Sequence, residues 1–254
     1  MSQWVRKGIQ TGIKTTAYPA REETAAGVSP GRPVGGDYSE QTTEALIACC
    51  PTQALSQIDH RLVVDYRRCV HCFRCRDGLA ASIAWQQGYE WAGAAGDEPP
   101  SLGDEFSRCS IHILVVDAGD CGACLNEVKQ LNNPYYNMHR LGFFITPTPR
   151  QADILLVVGP GTDQMRLALR KAYEAMPAPK RVVAVGTCAL SGSVFGPSFV
   201  SAGGISQILP VDIEIPGQPP PPLAILHGLL AVVGRKAPVS LISPAPMAAD
   251  KEGV

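Results

Sequence analysis

The sequence lacks an excess of charge of either sign. It has 22 Lys+Arg against 23 Asp+Glu in 254 residues, a formal net charge of −1. That balance gives no general electrostatic attraction to nucleic acid or to an acidic membrane surface. No uninterrupted apolar run approaches the ~20 residues of a membrane span. The opening Met1-Ser2-Gln3-Trp4-Val5-Arg6-Lys7 lacks the apolar core of an export signal. There is no G-x-x-x-x-G-K-S/T and no full G-x-G-x-x-G after a strand, so nucleotide binding has no support; Val158-Gly159-Pro160-Gly161-Thr162 resembles a phosphate loop only loosely. No Ser/His/Asp arrangement and no internal repeat can be read from spacing. Gly and Pro together are 47 residues, about 18%, below the low-complexity range. What the chain does have is nine cysteines. Without an export signal, metal or redox chemistry accounts for them better than disulfide staples.

Composition divides the chain. Residues 1–45 read as an extended N-terminal arm. A weak amphipathic helix carries Trp4, Val5, Ile9 and Ile13, and the Gly/Pro/Thr-rich run from Thr15 to Gly36 orders only against a partner. Residues 46–80 hold five cysteines around the strand-like Leu62-Val63-Val64-Asp65-Tyr66, a unit too small to fold without a metal staple. Residues 81–108 read as a linker with one short helix. In residues 109–234, apolar runs at 111–117, 152–159, 180–186 and 208–215 alternate with helical spacing at 162–176 and 223–233. This pattern predicts a parallel sheet with helices on both faces and ligands at the strand carboxyl ends. Residues 235–254 read as a loose C-terminal tail.

Cys69, Cys72 and Cys75 form C-x2-C-x2-C, and Cys50 precedes Pro51 nineteen residues upstream of Cys69. Three thiolates at intervals of three wrap one face of a cubane, and the fourth must come from elsewhere in the fold. Residues 49–78 are similar to the second half of a two-cluster ferredoxin. The prediction is one [4Fe–4S] cluster on Cys50, Cys69, Cys72 and Cys75. A zinc site is the alternative, and Cys49 reads as a non-ligating neighbour.

Cys121-Gly122-Ala123-Cys124 follows the first strand of the α/β region, and Cys188 follows the third in Gly186-Thr187-Cys188-Ala189-Leu190-Ser191-Gly192. With Asp117 to Glu127 and Leu209-Pro210-Val211-Asp212-Ile213-Glu214-Ile215-Pro216-Gly217, these segments resemble the twenty-kilodalton subunit of complex I. They resemble equally the small subunit of membrane-bound [NiFe] hydrogenases and formate hydrogenlyase. Residues 1–17 are similar to the leading segment of the ferredoxin-like subunit of the same complexes, which implies a fusion of two neighbouring electron-transfer subunits.

The resemblance implies an α/β fold with a flavodoxin-like parallel sheet, preceded by a small ferredoxin-like iron–sulfur module. It implies a second [4Fe–4S] or [3Fe–4S] cluster on Cys121, Cys124 and Cys188. It also implies a role in relaying electrons to or from a large catalytic subunit, beside other iron–sulfur subunits. The complex would lie peripherally on the cytoplasmic face of the inner membrane, attached to a membrane arm through its partners. The family's fourth ligand is a cysteine in a P-G-C-P-P turn; this chain has Pro216-Gly217-Gln218-Pro219-Pro220. Three outcomes are open: a cluster with a non-cysteine fourth ligand or three irons, substitution by Cys109, or loss of the cluster with the domain kept as a scaffold. A thiol–disulfide role for Cys121 and Cys124 is a further alternative. Glu127 resembles a family glutamate but equally suits a helix N-terminus, and His227 reads as a hydrogen-bonded core residue.

Overall fold

The structure is a computed structural model that describes residues 2–23, 27–77, 82–96 and 110–243. Cys109, part of the expected linker and residues 244–254 of the expected tail lie outside the described residues. No described helix is long and apolar enough to cross a membrane.

The chain opens with helix α1 (Gln3–Thr11), none of whose residues is buried. Strand β1 (Arg32–Val34) and helix α2 (Glu40–Cys49) follow. The Ser39 hydroxyl caps α2 by accepting from the Thr42 N–H at 3.3 Å, supplying a partner to one of the first unbonded amides. Strands β2 (Leu55–Ile58) and β3 (Arg61–Val64) pair as an antiparallel hairpin, and the single turn α3 (Arg74–Asp77) closes the cysteine-rich segment. Leu46, Leu55, Leu62, Val64, Tyr66 and Ile83 form its small core.

The expected linker forms strands in its described part rather than a short helix. Strand β4 (Ala84–Gln86) pairs with β1, and β5 (Gly93–Ala94) joins the main sheet. Short pairing segments carry little periodicity, so nothing in their composition marked them. Between these strands, Trp91 is 2% exposed in the main core.

The main sheet is built from β6 (Ile111–Asp117), β7 (Phe143–Ile145), β8 (Ile154–Val158), β9 (Arg181–Val185) and β10 (Ile213–Ile215), with β5 on the edge. Its order is β5-β10-β9-β8-β6-β7, all parallel except β5. Taken alone, the five parallel strands run 2-1-3-4-5, the flavodoxin-like order. Of the fourth expected strand, 208–215, only Ile213–Ile215 pairs in the sheet. Strand β7 has no counterpart in the sequence reading.

Period-2 alternation assigns the side chains to two cores. Ile154, Leu156, Val158, Val183 and Val185 face one side with helix α4 (Ala123–Gln130) and helix α7 (Pro222–Val232). Leu155, Val157, Val182 and Ala184 face the other with helix α5 (Asp163–Ala175) and helix α6 (Thr187–Ser191). Every residue of α7 is buried, as expected of a helix apolar all round.

Tyr18 of the N-terminal arm and residues 235–243 of the tail pack on this frame. Tyr18 is 1% exposed and edge-on to Tyr89, and Arg140 bonds its carbonyl. The arm therefore orders on its own chain. Residues 235–243 are not loose either. The Val239 N–H bonds Ala92 O, the Tyr66 N–H bonds Leu241 O, and the Ser243 N–H bonds Val64 O. This segment joins the cysteine-rich unit to the sheet, and its shortness and lack of periodicity concealed that. His227 is a core residue as expected: its Nδ1 accepts from the Ala92 N–H at 3.1 Å and its Nε2 lies 3.2 Å from Ala237 O.

Alternation along β10 turns Glu214 away from Ile213 and Ile215, toward the cysteine-rich unit, where its Oε2 meets Arg67 Nε at 2.6 Å. Burial outweighs the guanidinium and holds the Glu214 carboxyl above its ordinary range. Losing Arg67 would leave that carboxyl buried and unpaired. Arg67→Ala is expected to lower unfolding stability by about 3 kcal/mol, and Glu214→Gln in the same background to recover part of it. Chemical denaturation of the two variants checks this.

Candidate metal centres

All eight described cysteines are free thiols. Seven of them lie in two groups, of four and of three, and Cys49 belongs to neither.

The first set surrounds one small apolar cavity, lined by Cys50, Cys69, Cys72 and Cys75 together with Leu55, Val64 and Trp85. Cys50 ends α2, and its Sγ accepts the Ala54 N–H at 3.3 Å. The C-x2-C-x2-C segment is shaped by two non-glycine residues in the left-handed region, His71 (φ 50°) and Phe73 (φ 60°). Such conformations cost energy and persist where the surroundings impose them. Here they bend the loop so that Cys69, Cys72 and Cys75 all line the cavity. His71 is lodged against Trp85 and Trp91, with ring centroids 6.4 and 5.5 Å away. Arg68, Arg74 and Arg76 are exposed around the loop and favour an anionic occupant. Burial pushes the Cys69 thiol up to about 12 and the Cys75 thiol up to about 11, with neighbouring cysteines adding to both shifts. Cys49 is not among the lining residues, and its thiol donates to Leu46 O at 3.1 Å.

The second set lies at the carboxyl ends of β6, β9 and β10. The Asp120 carboxylate caps the start of α4, accepting from the Gly122 and Leu125 N–H groups at 2.9 and 3.1 Å. Asp117 accepts from the Gly119 and Asp120 N–H groups in the same way. These bonds fix the turn that carries Cys121 and Cys124. Gly186 has φ 89°, and a Cβ there would stand 2.4 Å from Cys124 Sγ. Glycine at 186 is therefore what lets the Cys124 and Cys188 segments approach. Cys188 Sγ lies 3.7 Å from Oε1 and 3.6 Å from Nε2 of Gln218, and the Ser193 hydroxyl donates to that Oε1 at 3.2 Å. The carboxamide of Gln218 thus sits against Cys188. Burial pushes the Cys124 and Cys188 thiols up; for Cys188, bonds to Ser193 and Gln218 oppose it. Burial also raises the Glu127 carboxyl, the reverse of what an exposed helix N-terminus would do.

The two sets adjoin. The Thr187 hydroxyl donates to Cys69 O at 2.9 Å and the Ser191 hydroxyl to Arg67 O at 2.8 Å. Sequence reading missed both hydroxyls, although their i, i+4 spacing around Cys188 puts them on one face of α6.

Among the described residues, no group of three or more His, Cys, Asp or Glu side chains is drawn in around a single metal ion. An iron–sulfur cluster separates its thiolates more widely than one ion does. Four cysteines around an apolar cavity provide the donor chemistry of such a cluster. Three cysteines and a carboxamide are a poorer set for iron that prefers thiolate.

The family model described as NADH ubiquinone oxidoreductase, 20 Kd subunit, matches residues 121–232. An uncharacterized protein of Methanocaldococcus jannaschii is 44% identical over 127 residues, half of this chain and 85% of that protein. The probable membrane-bound hydrogenase subunit mbhJ of Pyrococcus furiosus is 41% identical over 52% of this chain and 80% of its own length. The chain belongs to this 20 kDa subunit family. Formate hydrogenlyase subunit 7 of Escherichia coli is 38% identical over 49% of each chain. The family match contains Cys121, Cys124, Cys188 and Gln218, whereas Cys50, Cys69, Cys72 and Cys75 lie outside it.

Exposure orders the reactivity of the cluster-free thiols. Alkylation followed by peptide mapping is expected to label the exposed Cys72 and Cys121 first, and the buried Cys69 and Cys124 last. Folded Cys69 and Cys75 ionise far above an unfolded thiol, at about 8.5, so their burial stabilises the fold fully below that pH. Stability of the cluster-free chain should then fall as pH rises toward 11–12, readable as a falling urea midpoint. Gly186→Ala must both strain a left-handed φ, at a cost of about 1–2 kcal/mol, and push Cys124 aside; thermal unfolding measures the loss.

Proposed function

We propose that this chain is an electron-transfer subunit of a multisubunit oxidoreductase of the hydrogenase or complex I type. The observation that carries the reading is the apolar cavity lined by Cys50, Cys69, Cys72 and Cys75, held by hydrogen bonds against the segment of Cys188. When bound, a [4Fe–4S] cluster takes up and releases one electron at a time at a potential set by burial and N–H···S bonds. The protein then has no proton to move and no substrate to orient. Its tasks are to supply thiolates, exclude water and fix distances. At the first site, the Ala54 N–H on Cys50 Sγ and the surrounding apolar side chains do this.

Cys121, Cys124 and Cys188 hold a second [4Fe–4S] or [3Fe–4S] cluster, with Gln218 or solvent at the fourth corner. A second reading is favoured by the poor donor quality of Gln218: the α/β half docks subunits as a scaffold and only the first cluster is kept.

The partners in this proposal are a large catalytic subunit, other iron–sulfur subunits and, through them, a membrane arm. The chain would sit peripherally on the cytoplasmic face of the membrane. Val194, Phe195, Phe199 and Val200, just past α6, are exposed apolar residues that suit a subunit contact. The relatives' names, a hydrogenase subunit and a formate hydrogenlyase subunit, support the same setting.

Iron and sulfide analysis of the anaerobically purified chain tests the proposal. About eight irons per chain supports two [4Fe–4S] clusters, about seven a three-iron second site, and about four the scaffold reading. No iron overturns both. In the scaffold case, Gln218→Cys is expected to restore the missing irons.

A further inference from the structure

Thr187 is fully buried and stands where three chain segments meet. Its hydroxyl lies 2.9 Å from Cys69 O and 3.2 Å from Gly217 O, and accepts the Gly217 N–H at 3.4 Å. The Thr187 N–H already supplies Gly217 O at 2.9 Å. A hydroxyl has one proton to give. With Gly217 O served by the amide, that proton goes to Cys69 O, the nearer acceptor. The bond joins residues 118 apart in sequence. Thr187 is therefore bonded to one cysteine of the first set, is adjacent in sequence to Cys188 of the second, and is bonded to the residue before Gln218. The Ser191 hydroxyl on Arg67 O and the Arg67–Glu214 pair brace the same junction.

We propose that Thr187 is the positioning residue that fixes the two cysteine sets relative to each other and carries the one-electron step between them. The second half of this proposal rests on the two-cluster reading. From Cys69 Sγ the route runs through its Cα and carbonyl, across one hydrogen bond, and through the Thr187 side chain and backbone to Cys188 Sγ. Every link but one is covalent. One electron leaves a reduced first cluster and enters an oxidised second cluster; no bond breaks and no proton is transferred. Valine at this position keeps the shape but leaves Cys69 O and the Gly217 N–H without their partner, whereas serine keeps the hydroxyl.

The test compares the full-length chain with Thr187→Val and Thr187→Ser, each measured with and without clusters. In the cluster-free chain, amide exchange in residues 67–72 and at Gly217 and Gln218 is expected to be about tenfold faster in the valine variant, because a buried partner is lost, and near the parent level in the serine variant. Acceleration confined to residues 187–191, or none, overturns the positioning role. In chains reconstituted to equal iron content, electron passage after flash reduction by a ruthenium photoreductant is expected to slow with valine and recover with serine. Passage at the parent rate in the valine variant overturns the electron-carrying role. An iron content near four per parent chain shows that the two-cluster reading itself has failed, and removes the electron-carrying half with it. The exchange comparison still decides the positioning half, and also decides it if the valine variant does not take up iron.

Discussion

Two serine/threonine hydroxyls on one face of α6, donating to the backbone carbonyls of Arg67 and Cys69, hold the cysteine-rich unit against the α/β sheet. Neither unit would place its thiols usefully without that contact. The small core around Leu46, Leu62 and Val64 is slight for independent stability. It is supplemented by the Arg67–Glu214 pair and by the segment 235–243, which bonds to Ala92 on one side and to Val64 and Tyr66 on the other. Because the bonds at α6 run to backbone, they fix the path of the loop and leave the cysteine side chains free to face the cavity.

Desolvation is what both sites have in common. Cys69 and Cys124 are buried thiols pushed toward the neutral form. A bound cation centre reverses that preference, since a coordinating thiol is deprotonated outright. The same apolar walls that keep these thiols neutral would exclude water from a bound cluster and strengthen the N–H···S bonds that set its potential. The arginines around Cys72 act in the same direction from outside.

The second site differs in one atom set. Gln218 occupies its corner with hydrogen bonds of its own, to Ser193 and against Cys188. A cysteine there would have needed none of these. The carboxamide is thus accommodated by local polar partners.

Much of this was legible in the order of residues. The continuous apolar runs of β6, β8 and β9 read directly as buried parallel strands, because burial on both faces removes the polar alternation. The cysteine spacing sorted the thiols into two sets without any structure. Less legible were β4, β5 and β7, each too short to show a period, and residues 235–243, whose docking depends on backbone bonds that composition does not record. The sequence by itself determined the central strands β6, β8 and β9, the grouping of the cysteines and the odd Gln218, since periodicity and spacing are local. Only the tertiary structure decided that the two sets adjoin and that Glu214 serves Arg67. It also showed Thr187 bonding Cys69, because contacts between residues more than a hundred positions apart exist only once the chain has closed on itself.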